Sequence, residues 1–394
     1  RTAKQEAEMP APLHRHVIKR SRFLAGTLAL PLAMNPPAPA RRHPEHGRRR
    51  PVRIGAVLSL TGDHSERGTA GKLALDAFQR TWRFPGGRRV EFLIVDVKSD
   101  SRLVAAAAPA LKEQGVVAII GPDSGREMVP AFAELKAVGL PILVGPPVPY
   151  PNFNQEPYFF SPNLPQEPMQ LEDLLAYIAD LGLVNPVLLT TDDERGRSRA
   201  QLWRAGGGDA ELVPLGTVDY QPVLTRLRQA GYDSVTTILP DGAQAARVAQ
   251  ARAALGWDVE HFLDLAAFGE SYLEPSAGAA EGTRGFLWPV GAGSAYFRRH
   301  SEQAKAVRAI ERAMPAVDFS RHPLIGHVWD NALALALAIQ QAGSIEPADV
   351  REALEHLGHW GVNGFNQRTP QDHVGYQRRS AIRAVVRAGA VVPI

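Results

Sequence analysis

From Val52 onward, apolar residues come in short β-rich runs separated by stretches with helical spacing. The run Val52-Arg53-Ile54-Gly55-Ala56-Val57-Leu58 leads into Thr61-Gly62, and small residues then open a helix over 68–80. Strands are predicted at 53–58, 90–96, 116–120 and 141–144, with helices at 102–114 and 126–138. Leu103, Ala106, Ala107, Ala110 and Leu111 share helical spacing and are assigned to packing on a sheet. A Pro-rich passage from Pro146 to Pro168 breaks the rhythm, because proline fits neither helix interior nor central strand. Inside it, Tyr158-Phe159-Phe160-Ser161-Pro162 reads as a short crossing strand. The alternation resumes with strands at 186–190, 211–218, 234–239 and 261–265 and helices from Ser198, at 222–230 and at 243–255. A second crossing near Gly285-Phe286-Leu287-Trp288-Pro289 precedes helices at 294–314, 324–342 and 347–357. Beyond Gly361 the pattern is hairpin-like. Alternation of this kind predicts an α/β fold with parallel, doubly wound sheets, whose ligands meet the loops at the C-terminal ends of the strands.

Charge changes this picture only at the front of the chain. Residues 1–40 and 41–53 carry +4 and +5 of a formal total of +3, leaving −6 from Ile54 onward. The folded part thus offers no basic surface for nucleic acid. Arg15, Lys19, Arg20 and Arg22 precede an apolar run at 23–34, with small residues at Ala38 and Ala40. That is the pattern of an export signal over 1–40, followed by a basic, disordered leader at 41–51. The run is too short to span a bilayer, and so is 328–342, which holds Asp330 and Asn331. Arg20-Ser21-Arg22 lacks the adjacent arginines of a twin-arginine signal. Absence of cysteine excludes disulfides, thiolate metal sites, thiol catalysis and a lipid-anchored cysteine. The expected product is soluble, periplasmic and not lipid-anchored.

Motifs for chemistry fail on inspection. A phosphate loop ending at Gly71-Lys72 would have Glu66 at its first glycine and Leu73 at its hydroxyl position. Gly121-Pro122-Asp123-Ser124-Gly125 places its serine one position late for a nucleophile elbow, and His322, His327 and His373 lack triad context. A serine hydrolase is therefore the third reading. His356 and His359 lack a third metal ligand, and Gly206-Gly207-Gly208 lacks a lysine. Neither metal nor cofactor is expected. Ser124 follows a strand and opens a helix, so it serves either as an N-cap or as an anion contact. Asp192-Asp193-Glu194 reads equally as a solvated helix start or as a ligand contact.

Taken in order, several short segments resemble the type I periplasmic binding proteins of the branched-chain amino acid and amide class. They are Ile54-Gly55…Leu60-Thr61-Gly62, Ile119-Ile120-Gly121-Pro122 and Gly139-Leu140-Pro141-Ile142. Val218-Asp219-Tyr220…Leu224…Leu227…Gly231-Tyr232-Asp233, Ala280-Glu281-Gly282 and Gly361-Val362-Asn363-Gly364 continue the series. The resemblance implies two βαβ lobes joined by a three-segment hinge, one lobe from 52–160 plus 291–358 and the other from 161–290 plus 359–394. It implies a solute captured in the cleft, no enzymatic step, and ABC permease and ATPase partners. A ligand-sensing receptor or regulator of the same fold is the alternative. The candidate ligand contacts are Thr61, Asp63, Asp123, Ser124, Gly125, Pro147, Val148 and Tyr150 in one lobe. In the other they are Asp193, Arg195, Asp241 and Ala266. Relatives that hold α-amino acids use loop hydroxyls for the carboxylate and a second-lobe acid for the ammonium. Here Pro146 and Pro147 lack N–H groups, and Ala266-Ala267 stands where an acid would serve, so that only Asp241 or the acids at 192–194 could replace it. The expectation is weak or no binding of leucine, isoleucine or valine, and a better fit for a less polar carboxylate or amide.

Overall fold

A computed structural model describes residues 50–145, 156–161, 167–264, 268–322, 324–375 and 380–394. The predicted export signal and most of the basic leader lie outside these residues.

The first sheet holds β1 (Val52–Leu58), β2 (Val90–Asp96), β3 (Ile119–Ile120), β4 (Ile142–Leu143) and β5 (Phe159–Phe160). All five are parallel, in the order β2-β1-β3-β4-β5. β1 is buried at every position except Arg53, as expected of a strand covered on both faces. Its flanking helices are α1 (Ser65–Thr81) and α2 (Ser101–Glu113). Ala74, Leu75, Ala77 and Phe78 form the inward face of α1. Phe78 packs against Trp82 and against Trp329, their ring centroids 5.3 and 5.0 Å away, a burial that stabilises by about 2–3 kcal/mol.

After β3 come the short helices α3 (Gly125–Met128) and α4 (Phe132–Ala137). The sequence predicted one helix over 126–138. Pro130 divides it, since its ring clashes with the preceding turn and it has no N–H to donate.

The second sheet follows α5 (Glu167–Asp180), which the sequence reading missed. Then come β6 (Pro186–Thr191), α6 (Glu194–Ala205), β7 (Asp209–Val213) and α7 (Gln221–Gln229). They are followed by β8 (Ser234–Ile238), α8 (Gly242–Ala254), β9 (Glu260–Leu263), α9 (Glu270–Leu273) and β10 (Arg284–Leu287). Strand β7 stops before Pro214 instead of continuing to 218. The remaining elements are α10 (Pro289–Ala292), α11 (Glu302–Ala313), α12 (Leu324–Ala342), α13 (Pro347–Glu355), β11 (Gly358–Gly361), β12 (Gly364–Gln367), β13 (Ile382–Arg387) and β14 (Ala390–Pro393). Helix α11 begins later than predicted, after a short 3-10 turn at Ser294–Tyr296. The second sheet has the order β14-β13-β10-β9-β8-β6-β7. Its core is parallel, and the edge formed by β13 and β14 is antiparallel.

β11 and β12 form a separate hairpin that packs on α11 and α12. The chain after this hairpin is tied to β5. Ser161 donates its N–H to the His373 carbonyl, and Arg368 donates to the Ser161 carbonyl at 2.8 Å. The His373 ring donates from Nδ1 to the Phe159 carbonyl at 2.9 Å and stacks on Phe160.

Candidate functional site

The C-terminal end of β1 fixes the start of α1 through close backbone contact. A Cβ at Gly68 would lie 2.0 Å from the Ser59 carbonyl oxygen, so only glycine lets the helix approach. The first turn of α1 thereby places His64 and Arg67 beside the loop after β3. That loop carries Asp123 and Ser124, and Glu127 follows on α3. Ser59 donates its hydroxyl to Glu127 Oε1 at 2.8 Å and accepts the Ser99 N–H at 3.0 Å. His64 Nδ1 sits 2.7 Å from the same carboxylate oxygen.

Among the described residues, two buried acid oxygens in this wall have no hydrogen bond, Glu127 Oε2 and Asp123 Oδ2. Asp123 is 5% exposed. Burial pushes its carboxyl up to about 7, and Glu127 adds to the rise while Arg67 and His64 oppose it. The acid is thus largely protonated in mildly acidic conditions and can donate as well as accept. Arg67 is half-buried, and its guanidinium makes no hydrogen bond or ion pair among the described residues. Its charge also reaches α12. Burial, then Arg67, drives the His327 ring down to about 3, so it is neutral. Asn363 donates to His327 Nδ1 at 3.1 Å, and Trp288 meets that ring edge-on at 4.6 Å.

At the opposite end of the second sheet, Asp233, Arg252, Asp258, Glu260 and Glu281 line a hollow of about 270 Å³. It lies at the strand starts, away from the loops that parallel sheets use for ligands. No group of His, Asp and Glu suited to a metal ion occurs among the described residues. No described helix is long and apolar enough to cross a membrane.

One parallel and one largely parallel sheet of this order, with a buried polar wall at the strand ends of the first, agree with the family comparison. The family model described as periplasmic binding protein matches residues 51–390. The chain belongs to that family.

Solved structures show the same type I fold for this binding protein. A periplasmic binding protein type 1 from Bordetella pertussis shares 21% identity over 87% of this chain and 100% of its own, with a TM-score of 0.73. The branched-chain amino acid substrate-binding protein LivJ from Streptococcus pneumoniae, in complex with isoleucine, shares 19% over 87% of this chain and 98% of its own, TM-score 0.71. An ABC transporter solute-binding protein from Rhodopseudomonas palustris, in complex with 4-hydroxybenzoate, shares 17% over 87% of this chain and 95% of its own, TM-score 0.68. No curated protein matches the chain.

Within this binding protein, the residues singled out from sequence fall into three groups. Asp123, Ser124 and Gly125 come together in the wall. The Ser124 oxygen accepts the Arg126 N–H at 3.2 Å, which is the N-cap role. Thr61 donates its hydroxyl to Asp96 Oδ2 at 2.8 Å, so it orders the loop, and Asp63 beside it is exposed. Asp193 and Asp241 cap α6 and α8, accepting the Gly196 and Gln244 N–H groups at 2.7 and 2.8 Å. Arg195 is exposed in the first turn of α6. Pro147, Val148, Tyr150 and Ala266 lie outside the described residues. Sequence reasoning missed Ser59, His64, Arg67 and Glu127. A usable signal was present in Arg67, a cation in a first helical turn where the helix dipole favours an acid.

Proposed function

We propose that this chain is the extracytoplasmic solute-binding component of an ABC importer, capturing a small carboxylate or amide between two lobes. The lobes comprise 52–160 plus 291–358 and 161–290 plus 359–394, and the capture loops are those at the C-terminal strand ends. The observation that carries the reading is the pair of buried acid oxygens, Asp123 Oδ2 and Glu127 Oε2, that have no hydrogen-bond partner among the described residues at such a strand end. A buried polar atom without a partner is costly, and a bound solute would satisfy it. The family match and the solute-bound relatives support the same reading. In this reading an export signal over 1–40 is removed near Ala40, and permease and ATPase subunits are the partners. The ligand contacts include Asp123, Ser124 and Gly125, with Thr61 and Asp63 beside them and Pro147, Val148 and Tyr150 from the next loop. Asp193, Arg195, Asp241 and Ala266 supply the facing side.

A thermal-shift screen of small carboxylates, amides and amino acids tests it. A solute at about a hundred times its dissociation constant adds roughly 2.7 kcal/mol of stability. Hits confirmed by calorimetry with one-to-one stoichiometry are the expected result. A protein that no small solute stabilises, and that hydrolyses esters instead, would refute the reading.

A further inference from the structure

The chain leaves the first sheet at the end of β5 and leaves the β11–β12 hairpin after Gln367. Both exits lead to strands of the second sheet, β6 and β13. Two connections between the sheets therefore run side by side, and His373 joins them. Its N–H-accepting carbonyl lies 3.1 Å from the Ser161 nitrogen, and its ring Nδ1 lies 2.9 Å from the Phe159 carbonyl oxygen. The residue is 1% exposed, and its ring stacks on Phe160 with the centroids 4.5 Å apart.

The tautomer follows from these partners. A carbonyl oxygen can only accept, so Nδ1 carries a proton. Nε2 faces the other way, toward α13, and lies 3.5 Å from Glu355 Oε1. Arg351 Nη1 donates to that same oxygen at 2.8 Å and keeps it an acceptor. A singly protonated ring would thus set a lone pair against an acceptor, both of them buried, which is a costly arrangement. A second proton, on Nε2, turns the same contact into a charge-assisted one.

The surrounding charges act on this proton from both sides. Arg351 and Glu355 lie on α13, Arg368 and Asp372 in the tail, Asp330 on α12 and His359 on β11. Arg368 is 2% exposed, donates to the Ser161 carbonyl at 2.8 Å and opposes a second cation here. Asp330 and Asp372 both act on Arg368 and offset it. Burial and Arg368 drive the His359 ring down to about 3, so it is neutral. Glu355 is buried and is the acid that reaches the His373 ring, so its attraction is the strongest of these.

We infer that His373 and Glu355 form a proton-operated clasp that ties the two connections to α13, closed when the ring carries both protons and loosened when Nε2 loses its own. Histidine changes charge between about pH 5 and 8. The joint between the sheets is therefore firm on the acid side of that range and freer on the alkaline side. The clasp does not depend on which solute the protein takes.

Two measurements on the full chain test it. Nitrogen-15 spectra of the histidine rings read the charge of His373, which is assigned through its contact with the Phe160 ring. Both ring nitrogens should be protonated at about pH 6, and Nε2 should lose its proton as pH rises toward about 8. Amide exchange at Ser161, corrected for its intrinsic pH dependence, reads the clasp itself. Protection there should fall about ten-fold or more over the same range. Asp330, which burial raises to about 7, titrates there too, so the control leaves it in place. In Glu355→Gln the new amide can donate to a neutral Nε2, and Ser161 protection should vary by no more than about two-fold with pH. A singly protonated ring at about pH 6 in the wild type overturns the inference. So does Ser161 protection that is flat with pH, or that keeps its slope in Glu355→Gln. The wild-type ring spectrum decides even where the variant does not fold.

Discussion

The carboxyl group of Asp330 occupies the space that a side chain at Gly361 would need. A Cβ at Gly361 would lie 2.6 Å from the Asp330 carboxyl carbon and from both its oxygens. Those oxygens accept the N–H groups of Val362 and Asn363 at 2.7 and 3.0 Å, so α12 holds the turn between β11 and β12. Gly361→Ala is expected to destabilise by about 1–3 kcal/mol through overpacking. Asp330→Ala should cost at least as much, since two buried N–H groups lose their acceptor, each loss about 1–3 kcal/mol. Urea unfolding measures both. Variants that unfold at the wild-type midpoint would show that the hairpin is not anchored this way.

Stability should peak near pH 6.5. Burial holds His261, His327 and His359 at about 3, far below an ordinary histidine. It raises Asp123 and Asp330 to about 7 from 3.8. Below about pH 6, the unfolded chain protonates the three histidines, while the native chain keeps protons on the two acids. Unfolding then takes up about one net proton, and stability rises with pH by about 1.4 kcal/mol per unit. Above about pH 6.5 the unfolded histidines are losing their protons, and by about pH 7.5 they are neutral in both states. The acids hold protons in the native state alone, so stability falls as pH passes their folded pKa. Denaturation midpoints across this range give the curve. A midpoint that climbs steadily through pH 8 would contradict it.

The caps Asp193 and Asp241 distinguish structure from binding. Replacing either by alanine should cost about 1 kcal/mol of stability through loss of the N-cap bond. Fitting calorimetric affinities for the same variants separates the roles. An affinity loss beyond the stability effect marks a ligand contact, and unchanged affinity marks a cap alone.

Closure of the two proposed lobes predicts a smaller radius of gyration with solute bound. The extra contacts in the closed form supply the bias. Small-angle scattering at saturating ligand is the measurement, and identical profiles would exclude hinge closure.

Much of the fold was legible because hydrophobic period and turn residues agree locally. The helix at 324–342 and the strand at 90–96 coincide with α12 and β2. Helix α5 was not legible because Pro168 continues the Pro-rich passage. Proline at the second helical position is harmless, since the N–H it lacks has no intrahelical partner there. The wall was less legible. Ser59 and His64 reach Glu127 across 68 and 63 positions, a link that no local spacing encodes. Asp123, Ser124 and Gly125 were found because a strand-to-helix loop announces itself. Arg67 was not, because a single cation within a helical pattern has no local mark that sets it apart from a solvated surface residue.

The ties between β5 and the tail of the chain bear on the order in which the protein is made. Phe159 and Ser161 at the edge of the first sheet are clamped by residues 214 and 207 positions later. Helix α12, which covers α1, is also translated long after the strands beneath it. Closing such distant contacts is slow, and it cannot begin before the partner residues exist. Most of the polypeptide therefore leaves the ribosome while the first sheet still lacks its edge clamp and one of its covering helices. Through that interval, the fold of the nascent chain cannot itself shield those surfaces.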